Sequence, residues 1–589
     1  MNNSRKAKRR MTLAIFGLLA VISLFVGRLV DIQVVQADQL NEASADKRSI
    51  GVTTYGVRGD IVDTNGVALA DSVERYDITA SPKNSITSTG TFTRTIDGEQ
   101  VTSTRDELIE ELADATGETA ASIKASLDAN PESDFAYVAK KTTLAVRTAV
   151  RELHIGWVTT QLNPDRTYPL GAVAGNLVGF IGTDGPQAGL ELSANSCVAS
   201  TNGTQTYERG ADGVRLPGST VTTKDAIDGG TLKLTIDSDF QWFVQQAIAE
   251  QAETIGAKWA TAVVVRVSDG HLMAVADYPS VDPNDVNGVG VESLGSLAFS
   301  TPYEPGSTFK AMTAAMLIDA GKINQTTQIS APPYLSVGGG IIKDVFSHGT
   351  MQWTTTGVLV NSSNIGISIL SEKLSAAKRE KYMRAFGLGE KTAVDFNGES
   401  PSPLRSSDDW DPITEKAVAF GQGVTATSVQ VASIYQTLGN DGVKMPLTLV
   451  EGCEMPDGTV TDLPDTEGTQ VVSKDAANDT VEMLENVVTQ GSLTAQLTIE
   501  GYNIAAKTGT AQVAKTNGVG YGTDRVVSVA GLISGDDPQY AVVVTYGNPT
   551  TIKTSAAAAP TFKKIMTQII KTFRVTPSTE SVPVLPETW

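Results

Sequence analysis

The sequence predicts a multidomain α+β chain with one N-terminal transmembrane helix. Three observations lead there: a length of 589 residues, an apolar run behind a basic cluster, and three strand-like runs near the end that lead into an amphipathic helix. At about 100–200 residues per domain, such a length calls for several domains rather than one.

The first element is the anchor. Arg5, Lys6, Lys8, Arg9 and Arg10 precede the uncharged stretch Met11 to Gly27. Leu29, Val30 and Ile32 extend it if the Arg28 head reaches the interface. A retained anchor over 11–32 is expected, with a cytoplasmic tail over 1–10 and the rest extracytoplasmic by the positive-inside rule. Cleavage after Val35-Gln36-Ala37 is the alternative.

A module over 40–228 comes next. RGDIVDTNGVALA alternates on both sides of Asn65-Gly66 and predicts a hairpin. TRDELIEELADATG predicts a helix that stops near Gly117. The module shows no catalytic constellation, and a plain spacer is the alternative to a binding role. Near Gly229-Gly230 the pattern changes: TLKLTID predicts a strand, DSDFQWFVQQAIAEQAE a helix capped by Asp237 or Ser238, and ATAVVVRV a buried strand. The main boundary is placed there, giving a second domain over 229–574. At its end NIAAKTGTAQV, RVVSVAGLIS and QYAVVVTYG predict an antiparallel meander. The helix that follows carries Pro560 in its first turn and Phe562, Ile565, Met566, Ile569, Ile570 and Phe573 on one face. The segment 575–589 is rich in proline and is expected to be disordered. Its LPET lacks the glycine, apolar stretch and basic tail of a sorting signal.

Composition excludes several functions. Lys+Arg total 46 against Asp+Glu 66, a net charge of −20, which opposes nucleic-acid binding because phosphate contacts need a basic surface. His154, His271 and His348 show no ligand spacing, so neither a metal site nor a histidine triad is expected. Cys197 and Cys453 fall in different predicted domains, and the sequence leaves open whether they pair.

Chemistry then rests on serine and lysine. In EPGSTFK, Ser307 and Lys310 share one face at the start of an apolar helix. Alone this means little, because Ser375 and Lys378 repeat the spacing. Ser362-Ser363-Asn364 reads as a helix cap, and Ser193-Ala194-Asn195 repeats its pattern. Lys507-Thr508-Gly509-Thr510 lies in a predicted strand, where Gly509 admits a close approach to the backbone.

STFK, SSN and KTGT in this order resemble the three active-site motifs of penicillin-binding proteins and serine β-lactamases. RGDIVDTNGVALA, RTYPLGAVAGNLVGFIGTDG with GLE, TLKLTIDSDFQ, AVADYPSVDPN and AFGQGVTATSVQVASIYQTLGNDGV extend the resemblance to class B penicillin-binding proteins, division-specific transpeptidases of the FtsI type above all. The resemblance implies an elongated pedestal or dimerisation domain over 40–228 and a β-lactamase-like transpeptidase domain. It implies Ser307 as nucleophile, Lys310 as its base, Ser362 and Lys507 as proton relay, and Asn364, Thr508, Gly509 and Thr510 as substrate contacts. Peptidoglycan stem peptides and β-lactams are the implied ligands, with no cofactor. The implied partners are a glycan polymerase of the FtsW type and other membrane proteins of the division septum. An elongation-type enzyme and a β-lactam-acylated sensor are the alternatives. No E-x-x-L-N element lies between SSN and KTGT, so the glutamate with which class A β-lactamases activate water is missing.

Overall fold

The computed structural model describes residues 2–37, 49–208, 216–515, 520–535 and 538–589. The expected start of the first module at residue 40 lies outside them. Among the described residues, the helix Asn2–Val30, with its continuation Asp31–Val35, is the one segment long and apolar enough to cross a membrane.

The chain divides into two compact units, but not at one boundary. The first holds 49–57, 73–165 and 200–228 with the N-terminal helix; the second holds 58–72, 166–199 and 229–589. In the first, Tyr76–Ala80 lies between Ala136–Thr142 and Val158–Leu162. The helices Arg105–Thr116, Ala120–Asp128 and Leu144–Glu152 complete this unit, and Leu108, Leu112, Ile123, Leu127 and Trp157 fill its core. Thr104 and Glu107 form a capping box ahead of Arg105–Thr116, and Gly117, where the sequence predicts the stop, ends it in the left-handed region.

Two segments expected in the first module instead belong to the second unit. The hairpin at Asn65-Gly66 forms, pairing Ile61–Val62 with Ala68–Val73. Its first strand also runs parallel to Thr231–Leu234, which pairs in turn with Val450–Glu454. Glu191, fully buried, then ties the two segments to each other. It accepts from Arg58 at 2.7 Å and from Arg166 Nε at 2.6 Å. Linear boundaries fail here because strand pairing and a buried charge cluster recruit residues far apart in sequence. Cys197 and Cys453 consequently share this unit, and they are joined in a disulfide.

The core of the second unit is a five-stranded antiparallel sheet. Its order is Leu272–Tyr278, Trp259–Arg266, Tyr540–Gly547, Tyr521–Ile533 and Ile504–Ala514. Trp259–Arg266 reads as a continuous apolar run because both its faces are covered. Ala260, Ala262 and Val264 meet the helices Ser238–Ile255 and Ala559–Thr572, while Val263 and Val265 meet the helical core on the other side. Asp237 provides the cap of Ser238–Ile255, accepting from Phe240 N at 2.9 Å. The terminal helix buries Phe562, Ile565, Met566 and Ile569, as its periodicity predicts.

The last 15 residues depart from expectation. Residues 583–589 are held against the helices Thr355–Val360 and Lys474–Gln490 by hydrogen bonds from Thr354, Asn361, Asn486 and Gln490. Composition suggested disorder because prolines donate no N–H; here the partner side chains supply the donors.

Removing the carboxylate of Glu191 strands two arginines that have little access to water. Glu191→Ala is expected to cost about 3–5 kcal/mol, read as a lowered midpoint in urea denaturation, with Glu191→Gln intermediate.

Candidate active site

Three structural elements converge on one cluster. The turn Gly306–Phe309 runs straight into the helix Lys310–Asp319, which is buried along nearly its whole length. The turn itself is fixed from three directions. Gly306 N donates to Gly421 O at 2.9 Å, Tyr435 Oη donates to Thr308 O at 2.9 Å, and Thr308 Oγ1 closes back on Pro305 O at 2.9 Å. Gly306 has φ +59°, a conformation that costs glycine nothing and other residues about 1–2 kcal/mol.

The strand Ile504–Ala514 lies at the edge of the sheet, beside that turn. A Cβ on Gly509 would stand 2.4 Å from Ser528 Oγ and 3.0 Å from Pro305 O. Gly509 thus lets the strand pass close to Ser528 and to the turn at Pro305. Thr510 Oγ1 accepts from Ser555 N at 3.2 Å, and Thr508 is half-buried beside Lys507.

SSN completes the cluster and sits at a helix junction. The helix Thr355–Val360 ends with Ser362 N bonded to Leu359 O at 3.1 Å and Ser363 N bonded to Val358 O at 2.9 Å. This is the Schellman pattern, and it places Ser362 at the left-handed position where glycine is usual. With φ +54°, Ser362 bears strain of about 1–2 kcal/mol. The serine aims its hydroxyl between the two lysines. Ser363 then caps the next helix, Asn364–Ser371, accepting from Gly366 N at 2.8 Å.

Lys310 Nζ lies 3.1 Å from Ser307 Oγ, 3.3 Å from Ser362 Oγ and 2.8 Å from Asn364 Oδ1, and it also donates to Ser362 O. Lys507 Nζ lies 2.9 Å from Ser362 Oγ. Ser362 thus bridges the two amines. Both lysines are fully buried. Burial lowers the pKa of Lys507 to about 7. Burial first, and then repulsion from Lys507, hold Lys310 well below the ordinary lysine value, with Asp344 pulling the other way. The arrangement can do one thing a solvated lysine cannot: offer a neutral amine to the Ser307 hydroxyl near neutral pH.

The decoys separate cleanly. Ser375 and Lys378 are exposed on the helix Ala376–Ala385, and Asn195 is taken up by Arg58 at 2.7 Å.

Sequence reasoning missed two supports. Asp344 has a fully buried side chain and accepts from Ser363 Oγ at 2.6 Å, from Asn364 N and Ile365 N, and from His348 Nε2 at 2.9 Å. A carboxylate at a helix N-terminus is favourable, but nothing in IIKDVFSHG announces a partner some 20 residues away. Glu304, three residues before Ser307, accepts from Gly423 N at 3.0 Å and from Tyr521 Oη at 3.2 Å. Asn364, expected to face substrate, has its Oδ1 on Lys310 and its Nδ2 on Lys343 O at 3.1 Å.

This chain is similar to known proteins over most of its length. The penicillin binding protein transpeptidase domain model matches residues 260–567, and the penicillin-binding protein dimerisation domain model matches 53–234. Penicillin-binding protein PbpB of Mycolicibacterium smegmatis is 33% identical over 96% of this chain and 91% of its own length. Peptidoglycan D,D-transpeptidase FtsI of Escherichia coli is 29% identical over 95% and 91%. The crystal structure of penicillin binding protein 3 from Mycobacterium tuberculosis, complexed with ampicillin, superposes with a TM-score of 0.70 at 27% identity, covering 91% of this chain and all of that one.

Only neutral Lys310 can take a proton, so acylation of Ser307 is expected to slow as pH falls through a Lys310 pKa well below 10.5. Lys507→Met removes the cation that depresses Lys310, which moves this acid limb to higher pH as well as lowering the rate. Mass-spectrometric pH–rate profiles of Ser307 acylation measure both.

Proposed function

We propose a septal cell-wall role for this chain, which belongs to the penicillin-binding protein transpeptidase family and is a serine-type peptidoglycan D,D-transpeptidase inhibited by β-lactams. The observation that supports the mechanism best is the 3.1 Å approach of a buried, deprotonatable Lys310 to Ser307.

In the proposed reaction Lys310 removes the Ser307 proton as Oγ attacks the carbonyl between the two terminal D-alanines of a stem peptide. Backbone N–H groups of Ser307 and Thr510 receive the developing oxyanion, a contribution of about 10²–10³ in rate per donor. The C–N bond breaks, and the departing D-alanine amine takes a proton passed along Lys507 and Ser362. Lys507, Thr508 and Thr510 hold the terminal carboxylate of the substrate. Asn364 aligns the substrate amide once it gives up part of its hold on Lys310 and Lys343. The acyl group then rests on Ser307 as an ester. An amine of a second stem peptide attacks this ester, forms the crosslink amide and returns the proton to Ser307.

The N-terminal helix supports a single-pass membrane protein. Its basic flank supports a cytoplasmic N-terminus with the catalytic unit outside. The likeness to FtsI supports placement at the septum, with an FtsW-type polymerase and other division membrane proteins as partners.

Fluorescent penicillin is expected to label the wild-type chain and not Ser307→Ala; undiminished labelling of the variant refutes the nucleophile assignment. Purified full-length protein given lipid-linked precursor and a polymerase should form crosslinks, which a sensor never does. Depletion in the cell should give filaments or chains, whereas rounded cells would assign the enzyme to elongation.

A further inference from the structure

Residues 583–589 form a strap across the helix that leads into SSN. Asn486 Nδ2 donates to Pro583 O at 3.0 Å, Leu585 N donates to Asn486 Oδ1 at 2.9 Å, and Gln490 Nε2 donates to Leu585 O at 3.1 Å. Further along, Thr354 N donates to Glu587 O at 3.0 Å, and Trp589 Nε1 donates to Ile329 O at 3.2 Å. Helix Thr355–Val360 is shaped to receive the strap. A Cβ at Gly357 would stand 2.0 Å from Glu587 O, so glycine, unfavourable inside a helix, is what lets the backbone pass.

The strap also reaches the active site's most strained residue. Glu587 Oε2 accepts from Asn361 Nδ2 at 2.8 Å, and the same amide nitrogen donates to Gly357 O at 3.0 Å. Asn361 immediately precedes Ser362. A left-handed serine persists only where its surroundings over-determine it. On the C-terminal side Asp344 and the Ser363 cap supply that constraint; on the N-terminal side it comes from the helix end and from the Asn361 side chain.

We propose that Glu587 is a positioning residue for Ser362, acting through Asn361, and that the strap is part of the catalytic unit. This rests on the transpeptidase reading above. Without the Glu587 acceptor, the Asn361 amide keeps, among the described residues, its bond to Gly357 O in its own helix, and the turn relaxes toward ordinary backbone angles. The Ser362 hydroxyl then leaves its bridge between Lys310 and Lys507, while every group that touches substrate is still present.

The test uses the full-length chain with Glu587→Ala, Glu587→Gln, Asn361→Ala and the Glu587→Ala/Asn361→Ala double variant. Rapid-mixing kinetics with fluorescent penicillin separate non-covalent binding from the acylation step. Glu587→Ala is expected to slow the acylation step about tenfold, the loss of one charge-assisted hydrogen bond, with binding unchanged. Glu587→Gln, which keeps an acceptor oxygen, should acylate close to the wild-type rate. The double variant should be no slower than the slower single one, because the two side chains act as a unit. Wild-type acylation in Glu587→Ala overturns the proposal. So does a Glu587→Gln variant as slow as Glu587→Ala, an effect confined to binding, or full additivity in the double variant. A wild-type chain that penicillin does not label would instead refute the transpeptidase reading itself.

Discussion

The structure turns on a buried amine. Taking an ammonium out of water costs several kcal/mol even after the protein relaxes, and this chain buries two, Lys310 and Lys507. The cost is avoided by giving up the proton, and a lysine without its proton is a base. Much of the second unit serves this end. The helix Lys310–Asp319 is sunk among the helices Thr355–Val360, Asn364–Ser371 and Lys474–Gln490, SSN encloses the amine, and the edge strand brings Lys507 close enough to repel a second charge.

Reactivity therefore depends on packing at a distance from the serine. Tyr435, on the helix Ser428–Gly439, holds Thr308 O; Gly421 holds Gly306. A side chain at Gly509 would collide with Ser528 Oγ and crowd the turn at Pro305. These contacts fix Ser307 relative to Lys310 more tightly than their spacing in the chain could, since the first helical turn alone leaves both side chains several rotamers. The left-handed Ser362 is the same economy seen from the other side. Strain at one residue is tolerated because Asp344, Ser363 and Asn361 each remove an escape route.

Much of the fold was legible in the sequence where the cause is local. The helix stop at Gly117, the hairpin at Asn65-Gly66, the meander of the last three strands and the apolar face from Phe562 to Ile569 all follow from near neighbours. Reading failed where the cause is remote. Glu191 gathers Arg58 and Arg166, far apart in sequence, within one unit, and the Pro-rich tail is ordered by donors on helices more than 90 residues away.

The sequence by itself determined the reactive groups: STFK, SSN and KTGT, in order, name a serine, its lysine and the residues around them, because short-range chemistry demands particular residue types. Only the tertiary structure decided the surroundings of the two Ser-Lys pairs. Ser307 with Lys310 and Ser375 with Lys378 share one spacing, yet the first pair is enclosed and the second lies in water. Burial, not spacing, sets the protonation state of a lysine, and burial is a property of the whole fold. The fold likewise decided that Cys197 and Cys453 meet, that Asp344 stands behind SSN, and that Glu587 reaches Asn361.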